Sequence, residues 1–164
     1  MNSLQSNFPP EFIPWDIQIA RINFSANCGP SSFAAIAKKE VCRVMRYFIH
    51  FEHFQGTNLT QMRAAFKEAG YHTDVRRELF PEHGVALIQL LGPWTQKHFF
   101  SRWSLRHTHW VAVHQGWVFD HNAAIWMTKS EWDRDVANAL IADIPHATGW
   151  AVKYGVEVNQ FNSP

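Results

Sequence analysis

The run Val85-Ala86-Leu87-Ile88-Gln89-Leu90-Leu91 carries one polar side chain and is bracketed by Gly84 and by Gly92-Pro93. A short apolar run closed by turn residues reads as a strand buried on both faces, or nearly so. Any fold for this chain must therefore place 84–91 inside a sheet. Two further runs, 109–114 and 117–121, flank Gln115-Gly116 and read as a hairpin. A two-residue turn pairs His114 with Trp117 and, counting outward, sets His109 opposite Asn122. Asp120 is then the diagonal neighbour of His109 on the same face.

Residues 71–77 read as a strand with alternating polar positions, 125–127 as a short strand, and 149–158 as the last strand. Between 31 and 48, Phe33, Ala37, Val41, Val44 and Phe48 recur at helical spacing, with Lys39, Arg43 and Arg46 opposite, which predicts one long helix. Pro30 suits its first turn. A second helix is expected over 58–69, with Leu59, Met62, Phe66 and Ala69 on one face and Gly70 as its stop. A late helix is expected through Ala142, capped by Ser130 with Asp133 and turning Trp132, Val136 and Leu140 inward. Two helices, then mostly strands with one late helix, define an α+β fold. Residues 1–15 are polar and interrupted by proline, so an extended arm over 1–20, packed through Phe12 and Trp15, precedes a domain over 21–164. The connection 93–107 is long for a small domain and suits the wall of a binding groove.

At 164 residues, the chain is long enough for one full hydrophobic core. Hydrophobic residues at 46% against 18% charged place it among folded proteins rather than disordered ones. A net charge of +1 supplies no electrostatic argument for nucleic acid or a membrane surface as partner. Arg76-Arg77, Arg102 and Arg106 read as solvated charges or as contacts to an acidic substrate. The first residues lack the pattern of a signal peptide, and no apolar stretch approaches the ~20 residues of a membrane span, so a cytoplasmic location is expected. A protein delivered elsewhere as an effector would read the same. If Cys28 and Cys42 shared the long helix, they would lie about 21 Å apart, too far for a disulfide. Both are expected to be free thiols, as in a reducing compartment.

Cys28 opens the long helix in the run Asn27-Cys28-Gly29-Pro30-Ser31-Ser32. The positive end of a helix favours thiolate over thiol. Gly29 removes a side chain beside the sulfur, where a substrate backbone would approach. A thiol nucleophile needs an imidazole to take its proton and a third group to hold the imidazole. His109 supplies the first, and Asp120, or alternatively Asn122, the second. Cys42, inside the helix among apolar and basic residues, reads as structural. His107, His109, His114 and His121 do not form a compact ligand set, since His109 and His114 point to opposite faces of one strand, so no metal site is expected.

The Cys28-Gly29-Pro30-Ser31 run opening a helix resembles the nucleophile segment of papain-like cysteine peptidases, and most of all their bacterial C39-like group. His109-Trp110-Val111-Ala112-Val113 is similar to that group's histidine strand, and Phe119-Asp120 to its later strand. The resemblance spans about residues 20–125. It implies a papain-like fold in which the nucleophile helix packs on an antiparallel sheet. It further implies Cys28 as nucleophile, His109 as general base and acid, and Asp120 as orienting carboxylate, with no cofactor. The oxyanion would be held by the Cys28 backbone N–H. The family adds an upstream glutamine, for which Gln18 has the right chemistry and Asn23 the better spacing. The expected activity is hydrolysis of a peptide or isopeptide bond in a protein or peptide substrate. A thiol acyltransferase would use the same triad, a cell-wall amidase shares the Cys/His logic, and a non-catalytic binding or structural module on the scaffold is the reading from another class. Oligomeric state is not encoded in any of these features.

Overall fold

The computed structural model describes residues 8–49, 51, 56–95 and 107–160. The strands are β1 (Tyr71–Arg77), β2 (His83–Leu91), β3 (Thr108–His114), β4 (Trp117–Asp120), β5 (Ile125–Thr128) and β6 (Gly149–Gln160). They form one sheet in the order β1-β6-β2-β3-β4-β5, with every neighbouring pair antiparallel. β2 lies inside the sheet between β6 and β3, and Gly84 through Leu90 are all buried, as its apolar sequence requires. The α+β class read from the element order is the observed one.

Strand alternation sends successive side chains to opposite faces. Val85, Leu87, Trp110, Ala112, Phe119 and Val156 join the core beneath the N-terminal helices. Ala86, Ile88, Val111, Val113 and Val118 join a second core on the other face, closed by Trp132 and Ala137. The sheet is thus covered on both sides. On the first side α1 (Ile17–Phe24), α2 (Cys28–Ala37), α3 (Val41–Val44) and α4 (Leu59–Glu68) pack together. Phe33 of α2 is fully buried, and its ring centroid lies 4.3 Å from that of Phe66 of α4. α4 matches its expected position: Asn58 and Gln61 form a reciprocal capping box, and Gly70 follows at φ 87°.

The single long helix expected over 31–48 is broken. Lys38 ends α2 in the left-handed region at φ 52°, and the chain restarts as the short α3 and a 3-10 turn, Met45–Tyr47. The restart is fixed by Asp16, a buried carboxylate whose Oδ1 accepts from Val41 N–H and whose Oδ2 accepts from Cys42 N–H, both at 2.8 Å. Helical periodicity survives such a break because both pieces bury the same stripe, so the pattern alone does not reveal it. Both cysteines are free thiols. Burial and the hydrogen-bonded Asp16 carboxylate push the Cys42 thiol up to about 11. Asp16→Ala is expected to cost about 2–3 kcal/mol, since two donors lose a charged acceptor. That lowers Tm by roughly 5–10 °C in a thermal melt. Asp16→Asn removes the charge and is expected to bring the Cys42 titration down from about 11, read by alkylation against pH.

Helix α1 begins at Ile17, inside the segment 1–20 expected to be extended. Pro9, Pro10 and Pro14 do keep the chain irregular up to Trp15. Beyond them Ile17 and Ala20 supply a buried helical stripe too short to stand out by period. The late helix is capped by Thr128 with Glu131 rather than by Ser130 with Asp133. It runs as α5 (Lys129–Trp132), a π-helical turn Asp133–Ala137 and α6 (Asn138–Asp143). Both candidates carry an acidic residue three positions on, and the end of β5 at Thr128 decides between them. Of the connection read as a groove wall, residues 96–106 lie outside the described residues. Among the described residues, no helix is long and apolar enough to cross a membrane.

Candidate active site

Asn27 is extended, at φ −128° and ψ −157°, and its side-chain oxygen accepts from Gly29 N–H at 3.2 Å, which caps α2 and makes Cys28 its first residue. Pro30 falls in the same turn, where no N–H is needed. Gly29 is buried, and a Cβ there would overlap Thr57 Oγ1. The glycine therefore lets the tip of α2 close against Thr57, whose carbonyl accepts Trp110 Nε1–H at 2.7 Å. That corrects its assignment as room for a substrate backbone. The sequence shows only that position 29 carries no side chain, and packing shows what fills the space.

The β3–β4 hairpin has the register expected from Gln115-Gly116: His114 pairs with Trp117, Val113 with Val118 and Ala112 with Phe119. Pairing ends there, and residues 121–124 turn into β5. Asn122 therefore does not stand opposite His109. Its side chain is exposed, while its backbone N–H donates to Asp120 Oδ1 at 2.8 Å. Asp120 is the residue in contact with His109, Oδ2 to Nε2, at 2.8 Å. The same Oδ2 accepts Trp132 Nε1–H at 2.8 Å, so the fully buried carboxylate has three donors.

With Nε2 taken by Asp120, Nδ1 is the nitrogen left for the Cys28 sulfur, to which His109 is hydrogen-bonded. Burial alone would push the Cys28 thiol up. The His109 charge, the hydrogen bond with it and the Trp110 N–H outweigh burial and hold the thiol below its ordinary 9.0. Burial would push His109 down, but the adjacent Cys28 and the Asp120 carboxylate raise it to about 10. Asp120 stays below the ordinary carboxyl range, because its donors outweigh its burial. These directions favour a thiolate–imidazolium pair over the neutral pair.

A cleft of about 420 Å³ opens over Cys28 and His109. Arg21, Asn27, His121 and Asn122 are among its lining residues, whereas Gln18 and Asn23 are not. Both lie on α1 with exposed side chains. At 3.6 residues per turn, Asn23 points about 200° away from Arg21, and Gln18 sits nearly a turn farther back. The structure thus brings together Cys28, His109 and Asp120 and leaves out Gln18 and Asn23. His114 lies at the far end of β3, its Nδ1 2.8 Å from His83 Nδ1. Among the described residues, no group of three or more His, Cys, Asp or Glu side chains is placed to hold a metal ion.

The roles of three residues at the site have no signal in the sequence. Trp132 reads as core filler, and nothing in its spacing predicts a hydrogen bond to a carboxylate twelve positions earlier. Arg21 reads as one surface charge among many. His121 is anchored by Ser31, Oγ to Nδ1 at 2.8 Å, a contact across 90 residues with no local signal.

No protein-family model matches the chain, and no curated protein matches it. Among solved structures, the peptidase domain of Streptococcus ComA is similar, described as a bi-functional ABC transporter involved in a quorum sensing pathway. The two share 15% identity over 83% of this chain and 93% of that one, with a TM-score of 0.42.

Proposed function

We propose that this protein is a papain-like cysteine hydrolase that cleaves a peptide or isopeptide bond. The observation that carries this reading is the line of contacts Cys28–His109–Asp120, with the sulfur at the N-terminus of α2 and the carboxylate buried and holding three donors. The thiolate attacks the substrate carbonyl carbon, forming the S–C bond. The oxyanion that develops lies at the helix N-terminus, where the Cys28 N–H is the available backbone donor. The His109 imidazolium gives its proton to the leaving amine as the C–N bond breaks, which leaves a thioester on Cys28. His109, now neutral, takes a proton from water as the water attacks the thioester, and the sulfur departs as thiolate. Asp120 holds the His109 ring and stabilises its charged form at both steps.

The test is to expose the protein to a mixed peptide library and to an activated peptide ester, and to follow intact mass and products. The expected result is a thioester adduct on Cys28, peptide cleavage, and the loss of both in Cys28→Ala. If an amine is acylated in place of water, the triad serves a transferase. If neither adduct nor product forms, the hydrolase reading falls. The absence of Gln18 and Asn23 from the cleft would then favour a binding module on this scaffold.

A further inference from the structure

We infer that the cleft over Cys28 selects an acyl substrate carrying a carboxylate close to the scissile carbonyl, with Arg21 as its specificity-determining residue; the inference rests on the hydrolase reading above. Among the described residues, the lining side chains of the cleft include a guanidinium and two imidazoles, and no carboxylate. The nearby acid, Asp120, is fully buried and already accepts from His109, Trp132 and the Asn122 N–H. Its charge is engaged first by His109, which lies between it and the Cys28 sulfur. Arg21 is exposed, and no carboxylate among the described residues pairs with it. Its neighbours one turn away on the helix, Ile17, Gln18, Phe24 and Ser25, carry no charge.

Arg21 also lies close enough to His121 for its charge to disfavour the imidazolium there. The Ser31 hydroxyl occupies His121 Nδ1, which leaves Nε2 as the free polar atom of that ring. A guanidinium fork beside a fixed imidazole edge matches the planar, two-oxygen shape of a carboxylate. The alternative role for Arg21 is to offset the negative end of α1, which it reaches from the last turn. That role predicts an effect on melting and none on substrate choice.

A reagent pair tests the site without requiring peptidase activity. Iodoacetate carries a carboxylate and iodoacetamide does not, and both alkylate thiolates. The ratio of their rates at Cys28 is expected to fall about three- to tenfold in Arg21→Gln, to fall further in Arg21→Glu, and to recover in Arg21→Lys. The same ratio at Cys42 is the reference. Peptide substrates then separate the two sources of the carboxylate. Cleavage of C-terminally amidated peptides that needs Asp or Glu beside the scissile bond assigns an acidic side chain. Cleavage only of peptides with a free C-terminus nearby assigns the terminal carboxylate. In either case Arg21→Gln is expected to raise KM more than it lowers kcat. A ratio at Cys28 that is the same in wild type, Arg21→Gln and Arg21→Glu overturns the proposal. Loss of the wild-type preference for iodoacetate in Arg21→Gln, with no peptide cleaved by any form, keeps the anion site and removes the hydrolase reading instead.

Discussion

Alkylation of Cys28 is expected to persist well below pH 9 in the wild-type protein, while Cys42 in the same molecule reacts only as the pH approaches about 11. The sign follows from the partners. A lowered pKa leaves thiolate present as pH falls, and thiolate is the reactive form. In His109→Ala the opposing imidazolium is gone and burial remains, so the Cys28 curve moves to higher pH than in wild type. Peptide cleavage is expected to fall by at least about 10⁴-fold in both Cys28→Ala and His109→Ala, and the double variant to lose little more, because the two groups act as one unit. A wild-type Cys28 that titrates near 9.0 and is indifferent to His109→Ala would sink the ion pair, and the nucleophile assignment with it.

Asp120→Asn is the second large effect. An amide has one acceptor oxygen where the carboxylate receives three donors, so its NH₂ must face one of His109 Nε2–H, Trp132 Nε1–H or Asn122 N–H. The mismatch costs about 1–3 kcal/mol of stability. The kinetic loss is larger, about 10²–10⁴-fold in kcat, since the imidazolium loses both its orienting acceptor and its countercharge. His109 is raised to about 10 partly by Asp120, so removing that charge lets the imidazolium lose its proton at lower pH. The alkaline limb of the pH–rate profile is therefore expected to move down. Trp132→Phe removes one donor and keeps the ring packing, and it serves as the milder comparison. A profile unmoved by Asp120→Asn, with kcat within a few-fold of wild type, would mean that Asp120 only builds the core.

How much of this was legible in the sequence depends on how far apart the interacting groups are along the chain. The β3–β4 register was legible in the hairpin itself, because a two-residue turn counts residues off in pairs, but that count set Asn122 opposite His109 and left Asp120 on the diagonal. Only the end of the ladder was missing: the turn at 121–124 withdraws Asn122 and leaves Asp120 facing His109. The position of Cys28 was equally local, since Pro30 suits a first helical turn without reference to the rest of the fold, and the structure adds Asn27 as the cap. The sheet interior at 84–91 followed from an uninterrupted apolar run, which only a strand covered on both faces can hide.

The break between α2 and α3 was not legible, because a carboxylate at Asp16 caps residues 25 and 26 positions away and the hydrophobic period runs through the gap. The same holds for the carboxylate's third donor. Trp132 reaches Asp120 only once β5 and α5 have folded back over the second face of the sheet. The sequence by itself thus determined the α+β class, the helix that begins at Cys28, and the hairpin that carries His109 and Asp120, because capping, turn geometry and alternation act within a few residues. Tertiary structure alone decided that these two pieces meet, that Arg21 and His121 rather than Gln18 and Asn23 line the cleft, and that Asp120 gains Trp132 as a donor. Those outcomes depend on which faces of the sheet the helices cover, and burial is shared across the whole chain rather than written at any one position.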